Sequence, residues 1–162
     1  MAEFLSLLFR HKVHYLIVGG EAVIHYGHSR LTGDIDIFYQ REAVNAARIF
    51  AALKNFWDGN VPGMIGDAEL LRKGIVLQFG VPPNRIDLMN MIEGVEFDDA
   101  WLNRTDAPLV TKRKKVLIHY LGLGDLIKNK EAVGRHRDLD DLHFLKSQAA
   151  RIRRKSRTKS KQ

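Results

Sequence analysis

The sequence predicts a mixed α/β fold, an α+β arrangement in which a mixed β-sheet is flanked by helices and followed by a C-terminal helical hairpin. Short β-prone runs, such as residues 13–18 and 75–79, alternate along the chain with helical segments, the order expected when helices cover a sheet. The clearest helical segment, residues 41–55, carries an apolar stripe on an alanine-rich body. Together these observations indicate helices packed on a sheet.

In the first half of the chain, apolar spacing and glycines define the elements. Apolar residues in segment 3–11 repeat at helical spacing, which predicts a short amphipathic helix. The first β-prone run ends at a Gly19-Gly20 turn, which leads into a short helix that Gly27 ends. The predicted helices are therefore 3–11, 21–26 and 41–55, and the predicted strands are 13–18 and 34–39.

In the second half, turn residues separate the elements. Glycines and a proline make segment 57–66 a loop, and Gly-Val-Pro-Pro-Asn between two β-prone runs is typical of a hairpin. Gly134 separates the two helices of the C-terminal hairpin. The predicted elements are a short helix over 67–72, strands over 75–79 and 85–90, a helix over 97–102, strands over 109–110 and 116–120, and helices over 123–133 and 138–147.

Length and composition predict one domain of residues 1–149 followed by a basic tail of residues 150–162. A chain of 162 residues can build a core without disulfides or metals. It contains no cysteine, which excludes a disulfide framework, a thiolate metal site and a cysteine nucleophile. No apolar run approaches a membrane span, and the start lacks a basic leader and a cleavage site. We therefore expect a cytoplasmic protein without membrane contact.

The positive charge of the chain lies at its end. The formal net charge is +7, and residues 151–162 contain seven Lys and Arg with no acidic residue, which leaves 19 basic and 19 acidic residues elsewhere. Because it has almost nothing apolar to bury, the tail is predicted to be disordered. It either keeps the protein in solution or binds RNA or DNA phosphates in a salt-dependent manner.

Two carboxylates open the second predicted strand. Asp34 and Asp36 point to the same face, since side chains alternate along a strand. Adjacent carboxylates repel each other unless a cation lies between them, and hard divalent cations such as Mg²⁺ favour oxygen ligands. The pair therefore indicates a metal site, although an Asp-x-Asp pattern alone also occurs at exposed strand ends.

The residues around this pair suit a phosphate group. Gly19 and Gly20 let backbone N–H groups approach an anion closely, although a lone Gly-Gly is more often a tight turn. Arg30 carries a fork of donors that matches phosphate oxygens, and the Thr32 hydroxyl can hold a loop or a phosphate. The simpler alternative is a solvated arginine beside a turn-capping threonine.

A third carboxylate, Asp87, lies within an apolar predicted strand. Arg85, Asp87 and Met89 share one face of that strand, and Ile86 and Leu88 share the other. A charge among apolar residues is costly unless it is paired or binds something. Asp87 is therefore expected to meet either a cation or Arg85.

The order strand, Gly-Gly, helix, Arg-x-Thr-x-Asp-x-Asp, strand resembles the nucleotidyltransferase superfamily, which has DNA polymerase β-like catalytic domains. Within it, the chain is most similar to small bacterial and archaeal nucleotidyltransferase-like proteins related to the toxin components of abortive-infection systems. The resemblance implies that Asp34, Asp36 and Asp87 are catalytic and bind Mg²⁺ or Mn²⁺. It also implies that Gly19, Gly20, Arg30 and Thr32 bind nucleotide.

The closing segment is also similar to this superfamily, in which a lysine-bearing helix precedes a Gly-Arg turn and an Asp-Leu-x-Asp-Leu helix. On that match Lys130 contacts a nucleotide phosphate, and Asp138 braces Lys130 or the turn at Arg135. Lys128 is close enough in sequence to be an alternative. The chain departs from many active members at Gly20, where they carry a serine that contacts phosphate or metal.

The resemblance implies an enzyme that moves an NMP from an NTP to an acceptor hydroxyl and releases pyrophosphate. The acceptor would be an RNA 3′ end, a protein or a small molecule. The alternative is a catalytically silent protein with the same fold, which binds nucleotide, RNA or a partner protein, for example in a toxin–antitoxin pair. The sequence contains no motif that selects the base, the acceptor or the oligomeric state.

Overall fold

The computed structural model describes residues 1–110 and 115–159, except for the side chains of Arg137 and of residues 156–159. The helices are α1 Ala2–Arg10, α2 Gly19–His25, α3 Ala43–Phe56, α4 Phe97–Leu102, α5 Leu123–Val133 and α6 His136–Lys159. The strands are β1 Tyr15–Val18, β2 Asp34–Tyr39, β3 Val76–Phe79, β4 Arg85–Met89, β5 Thr105–Val110 and β6 Lys115–Tyr120. A short 3₁₀ helix, Asp67–Leu71, precedes β3. The predicted mixed α/β fold is confirmed, including its C-terminal helical hairpin.

The strands form one mixed sheet in the order β3-β4-β2-β1-β6-β5. β2 pairs with β4 in parallel and β1 pairs with β6 in parallel, whereas the other neighbours are antiparallel. The register of β2 and β4 sets Asp36 opposite Asp87 and Asp34 opposite Arg85. The sheet therefore brings together two polar motifs that lie far apart in the chain.

The two faces of the sheet carry separate cores. Ile35 and Ile37 of β2 belong to a core with α1 and α3. Phe38 belongs to the opposite core, which α2, α4, α5 and α6 cover. Because side chains alternate along a strand, Asp34 and Asp36 lie on the same face as Phe38. The polar site is thus built on the face that the C-terminal hairpin covers.

The first difference from the predicted elements lies at the glycine pair. Gly19 and Gly20 are the first two residues of α2 rather than a turn before it. Gly19 has a φ angle of 61°, in the left-handed region that glycine adopts at little cost. This angle lets the chain pass from β1 straight into the helix, so no separate turn is needed.

The second difference lies at the C-terminus. Gly134 ends α5 with a φ angle of 63°, as predicted. α6, however, continues to Lys159, so the helix predicted over 138–147 is longer, and residues 150–159 of the predicted basic tail are helical. Lysine, arginine, glutamine and alanine favour helices, and extending a helix that tertiary packing has already formed requires no new nucleation. The packed part of α6 therefore continues into its basic end.

Two smaller findings complete the fold. Trp101 of α4, a large aromatic residue for which the sequence favours burial, is only half-buried, and the guanidinium of Arg104 lies 4.1 Å from its ring centre. The basic run over 112–115, which the sequence predicts to link two strands, lies outside the described residues except for Lys115. Within the described part of the chain, no helix has the length and apolar character needed to cross a membrane.

Candidate active site

All eight residues that the sequence predicts for the site line one cavity of about 200 Å³. They are Gly19 and Gly20 of α2, Arg30 and Thr32 of the loop after it, Asp34 and Asp36 of β2, Asp87 of β4, and Lys130 of α5. Among the described residues, Arg85, Arg135 and Asp138 also line this cavity. The structure thus brings the predicted residues together, while their roles stay predictions.

Arg85 binds two of the three carboxylates. Its Nε and Nη2 donate to the two oxygens of Asp87 at 2.8 and 2.9 Å, and its Nη2 also donates to Asp34. Gln78 adds a further donor to Asp87 at 3.2 Å. The expectation that Asp87 meets Arg85 or a cation is therefore resolved, in this structure, as an ion pair that also includes Asp34.

Asp36 has a different environment from its two neighbours. The pKa of Asp36 is raised to about 6, chiefly by burial and then by the nearby carboxylates of Asp34 and Asp87, whereas Arg85 and Lys130 lower it. Among the described residues, no cation forms an ion pair with Asp36. Asp36 therefore carries a negative charge that this site does not fully compensate.

The raised pKa predicts a pH-dependent cost to stability. An acid whose pKa is higher in the folded state stabilises the fold at low pH, and this contribution is lost as pH rises through the folded-state pKa. Replacing Asp36 by asparagine should remove that loss. The difference in free energy of unfolding between Asp36→Asn and the wild type should therefore increase by about 2 kcal/mol, in favour of the variant, from pH 4 to pH 7.5. Urea unfolding in EDTA at several pH values measures this, and a pH-independent difference would contradict it.

The three carboxylates are chemically suited to a hard divalent cation, but they are not arranged in this structure to hold one. Three carboxylates lie side by side on two parallel strands, and oxygen ligands of this kind are those that Mg²⁺ and Mn²⁺ prefer. Within the described residues, however, no group of three or more acidic or histidine side chains is placed to hold a metal ion. In this structure Arg85 occupies Asp34 and Asp87.

The two glycines allow the backbone of α2 to lie against Asp36 and Thr32. A Cβ atom at Gly19 would lie 1.9 Å from Oδ2 of Asp36, and one at Gly20 would lie 3.0 Å from Oγ1 of Thr32. Thr32 in turn donates to the backbone oxygen of Asp34 at 3.1 Å. Thr32 therefore holds the loop that leads into β2, one of the two roles considered for it.

Gly19→Ala should destabilise the protein by about 2 kcal/mol or more, because it adds a left-handed alanine and displaces the Asp36 carboxylate. Gly124→Ala is the matched control, since its Cβ would meet nothing within 4 Å in α5. We expect the control to change stability by no more than about 1 kcal/mol, in the stabilising direction. Urea unfolding of both variants measures the difference. Equal stabilities would show that the close approach at Gly19 is not required.

Two other cations of the site, Lys130 and Arg30, are held by carboxylates from α6. Lys130, with only 9% of its side chain exposed, contacts Asp138 at 2.5 Å and Asp141 at 2.9 Å. Asp141 also accepts from Arg30 at 2.5 Å. Burial would raise the pKa of Asp138, but the hydrogen bond and charge of Lys130 outweigh it and hold the pKa below its ordinary value. The predicted bracing of Lys130 by Asp138 is therefore present.

The structure separates Lys130 from Lys128. Lys128 is 64% exposed and pairs with Asp125 at 2.8 Å, outside the cavity. Lys130 thus is the lysine of α5 that lies at the site.

Sequence reasoning missed two parts of this arrangement. Asp141 holds Arg30 and Lys130 together, although only Asp138 was singled out. Its signal was the spacing of three residues from Asp138, which places both carboxylates on one face of α6. The contact of Arg85 with Asp34 had no signal in the local sequence, because it depends on the pairing of β2 with β4.

The class of protein follows from this arrangement and from one comparison. A family model described as "Nucleotidyltransferase of unknown function (DUF6036)" matches residues 1–148, which is most of the chain. The protein is thus nucleotidyltransferase-like, as its sequence predicted. It belongs to this family of nucleotidyltransferases of unknown function. A search of curated proteins gives no match to the chain.

Proposed function

We propose that this protein is a metal-dependent nucleotidyltransferase that moves an NMP from an NTP to an acceptor hydroxyl. In the reaction the acceptor oxygen bonds to the α-phosphorus, the bond from that phosphorus to the bridging oxygen breaks, and pyrophosphate leaves. The observation that carries the proposal is the register of β2 and β4. It sets Asp36 directly opposite Asp87, two residues from Asp34, on the face where Lys130 lies.

The two sides of the cavity would have different roles, metal binding on one and phosphate binding on the other. On the sheet side, Asp34, Asp36 and Asp87 would hold Mg²⁺ or Mn²⁺, which when bound stabilises charge on phosphate oxygens and lowers the pKa of an acceptor hydroxyl. Asp87 would accept the proton of that hydroxyl. On the helix side, Lys130 and Arg30 would bind the β- and γ-phosphates.

The close packing at α2 supports the same assignment. Because Gly19 and Gly20 have no Cβ atoms, the backbone at the start of α2 lies directly against Asp36 and Thr32 at the cavity, where its N–H groups would approach phosphates. The cavity, at about 200 Å³, is smaller than the range of about 300–1,000 Å³ typical of pockets for drug-sized ligands. It would thus take the phosphates, while the base and ribose lie outside it. An NTP substrate would place the protein in the cytoplasm.

The test compares two positions of the label. Each of the four NTPs, labelled either at the α- or at the γ-phosphate, is incubated with the protein, Mg²⁺ and a cell lysate that supplies acceptors. Nucleotidyl transfer should move the α-label into an acceptor and leave the γ-label in pyrophosphate. Transfer of the γ-label would indicate a kinase instead. No transfer of either label by folded protein would contradict the proposal.

One observation favours a second candidate, a protein that binds nucleotide or a partner without transfer. Arg85 already pairs with Asp34 and Asp87, so these two carboxylates share a cation without a metal ion. Such a protein could belong to a toxin–antitoxin pair. It would bind a non-hydrolysable NTP analogue equally well in EDTA and in Mg²⁺, whereas the enzyme would need the metal.

The basic end of α6 supports RNA as the first acceptor to examine. Arg151 and Lys155 are exposed on this helix, within a segment that contains seven Lys and Arg and no acid over residues 151–162. Each phosphate that a cation neutralises releases counterions, so binding should weaken steeply with salt.

A chain that ends at residue 150 should bind an RNA oligonucleotide at least about tenfold more weakly at 50 mM salt, with a shallower salt dependence. Fluorescence anisotropy at several salt concentrations measures both. Unchanged binding by the shortened chain would exclude the basic end of α6 as the RNA-binding surface.

A further inference from the structure

Arg85 is the part of the site that the proposed reaction does not use. It lies at the start of β4, opposite Asp34 in the parallel pair, and its guanidinium contacts both Asp34 and Asp87. A metal ion held by these carboxylates would need the same oxygen atoms. The guanidinium and the metal ion therefore cannot both occupy them.

Arg85 is placed to leave these carboxylates without disturbing the core. Its side chain is 28% exposed at the cavity, whereas Ile86 and Leu88 of the same strand point to the opposite, fully packed face. Asp87 keeps the donor from Gln78 after Arg85 has moved, so its carboxylate stays oriented. Asp34 would then keep only the Thr32 hydroxyl, whose oxygen lies 3.4 Å from Oδ1 of Asp34. Asp36 would have no hydrogen-bond partner among the described side chains.

A nucleotide would provide the guanidinium with a new partner. The fork of an arginine binds phosphate oxygens as well as carboxylates, often through two parallel hydrogen bonds. Arg30 and Lys130 line the same cavity as Arg85, so phosphates bound to these two residues would lie near the guanidinium of Arg85. An anion at this position offsets the loss of the ion pairs with Asp34 and Asp87.

We propose that Arg85 is a built-in counter-cation that competes with the divalent metal for Asp34 and Asp87, so that metal and nucleotide bind cooperatively. Without nucleotide, Arg85 holds the carboxylates and metal affinity is low. With nucleotide, Arg85 turns to the phosphates and frees the ligands. By linkage, the metal strengthens nucleotide binding by the same factor. The inference rests on the proposed function, because it requires a metal at these carboxylates.

The test measures Mn²⁺ binding by electron paramagnetic resonance, with and without a non-hydrolysable NTP analogue. In the absence of the analogue, Arg85→Gln should bind Mn²⁺ at least about tenfold more tightly than the wild type, since the competitor is gone. In its presence the two proteins should agree within about threefold. Arg85→Lys keeps the charge without the fork, and it should fall between them.

Arg135→Gln is the matched control. It removes an equal charge from the same cavity, but Arg135 pairs with Asp138 rather than with the three carboxylates. A general charge effect would raise Mn²⁺ affinity equally in both variants and would overturn the inference. The proposal requires a gain of less than about threefold for Arg135→Gln.

Other outcomes separate this inference from the proposed function. If the wild type binds Mn²⁺, if Asp36→Asn abolishes that binding and if Arg85→Gln does not strengthen it, the inference is wrong and the metal site stands. If neither wild type nor Arg85→Gln binds Mn²⁺ with or without the analogue, both the inference and the metal-dependent function are wrong. Thermal unfolding with added Mn²⁺ provides a second readout, because bound metal raises the melting temperature.

Discussion

Replacing Asp36 by asparagine is expected to abolish transfer of an α-labelled nucleotide, with a loss in rate of at least about 10³-fold. Asp36 neighbours both other carboxylates, across the strand pair and along β2, so it belongs to any metal site that they form. Asparagine keeps the size of the side chain and removes its charge. Label incorporated per minute, at saturating Mg²⁺ and nucleotide, is the measurement.

Unfolding would not explain such a loss, because Asp36→Asn is predicted to be at least as stable as the wild type at neutral pH. Asp98→Asn is the matched control. Asp98 is an exposed carboxylate of α4 that accepts a hydrogen bond from Gln40 outside the cavity. Its replacement should leave the transfer rate within about twofold. Transfer at the wild-type rate by Asp36→Asn would mean that these carboxylates are not the catalytic centre.

Lys130→Met is expected to lower the free energy of unfolding by about 3–5 kcal/mol. The change leaves Asp138 and Asp141, which are 2% and 3% exposed, without their shared cation. Breaking a buried ion pair on one side costs more than the pair itself contributes, since the remaining charge cannot be solvated. The variant should also lose most of its affinity for an NTP analogue. Urea unfolding and calorimetric titration measure the two effects.

Two further variants separate the structural role of Lys130 from its role in binding. Lys128→Met removes an exposed lysine from the same helix and should cost less than about 1 kcal/mol without weakening nucleotide binding. The double variant Lys130→Met with Asp138→Asn should recover part of the stability, because it removes one of the two buried carboxylates that have lost Lys130. It should not recover nucleotide binding. If it did, Lys130 would be a structural residue only.

Much of the site could be predicted from the sequence because its signals are local. Alternation along a strand is a property of the backbone, so Asp34 and Asp36 had to share a face wherever β2 lies. By the same rule, Asp87 had to lie on the opposite face of its strand from Ile86 and Leu88. A glycine in the left-handed region ended α5 at Gly134 as predicted. The family match over residues 1–148 agrees with a motif that those local patterns define.

What only the tertiary structure decided are the partners of the charged side chains. Arg85 was expected to meet Asp87, two residues away, but its contact with Asp34 spans 51 residues and exists because β2 and β4 pair in parallel. The contact of Arg30 with Asp141 spans 111 residues and depends on how α6 packs. The length of α6 was also decided by packing, since its basic end extends a helix that the core already holds.

The sequence by itself thus determined which face of β2 and of β4 carries the carboxylates, because strand alternation is set by neighbours in the chain, and its resemblance to a known family indicated the eight residues of the site. The structure decided which cation neutralises which carboxylate, because strand register and helix docking bring distant segments into contact. That second level places Arg85 on the carboxylates and two acids of α6 on Lys130.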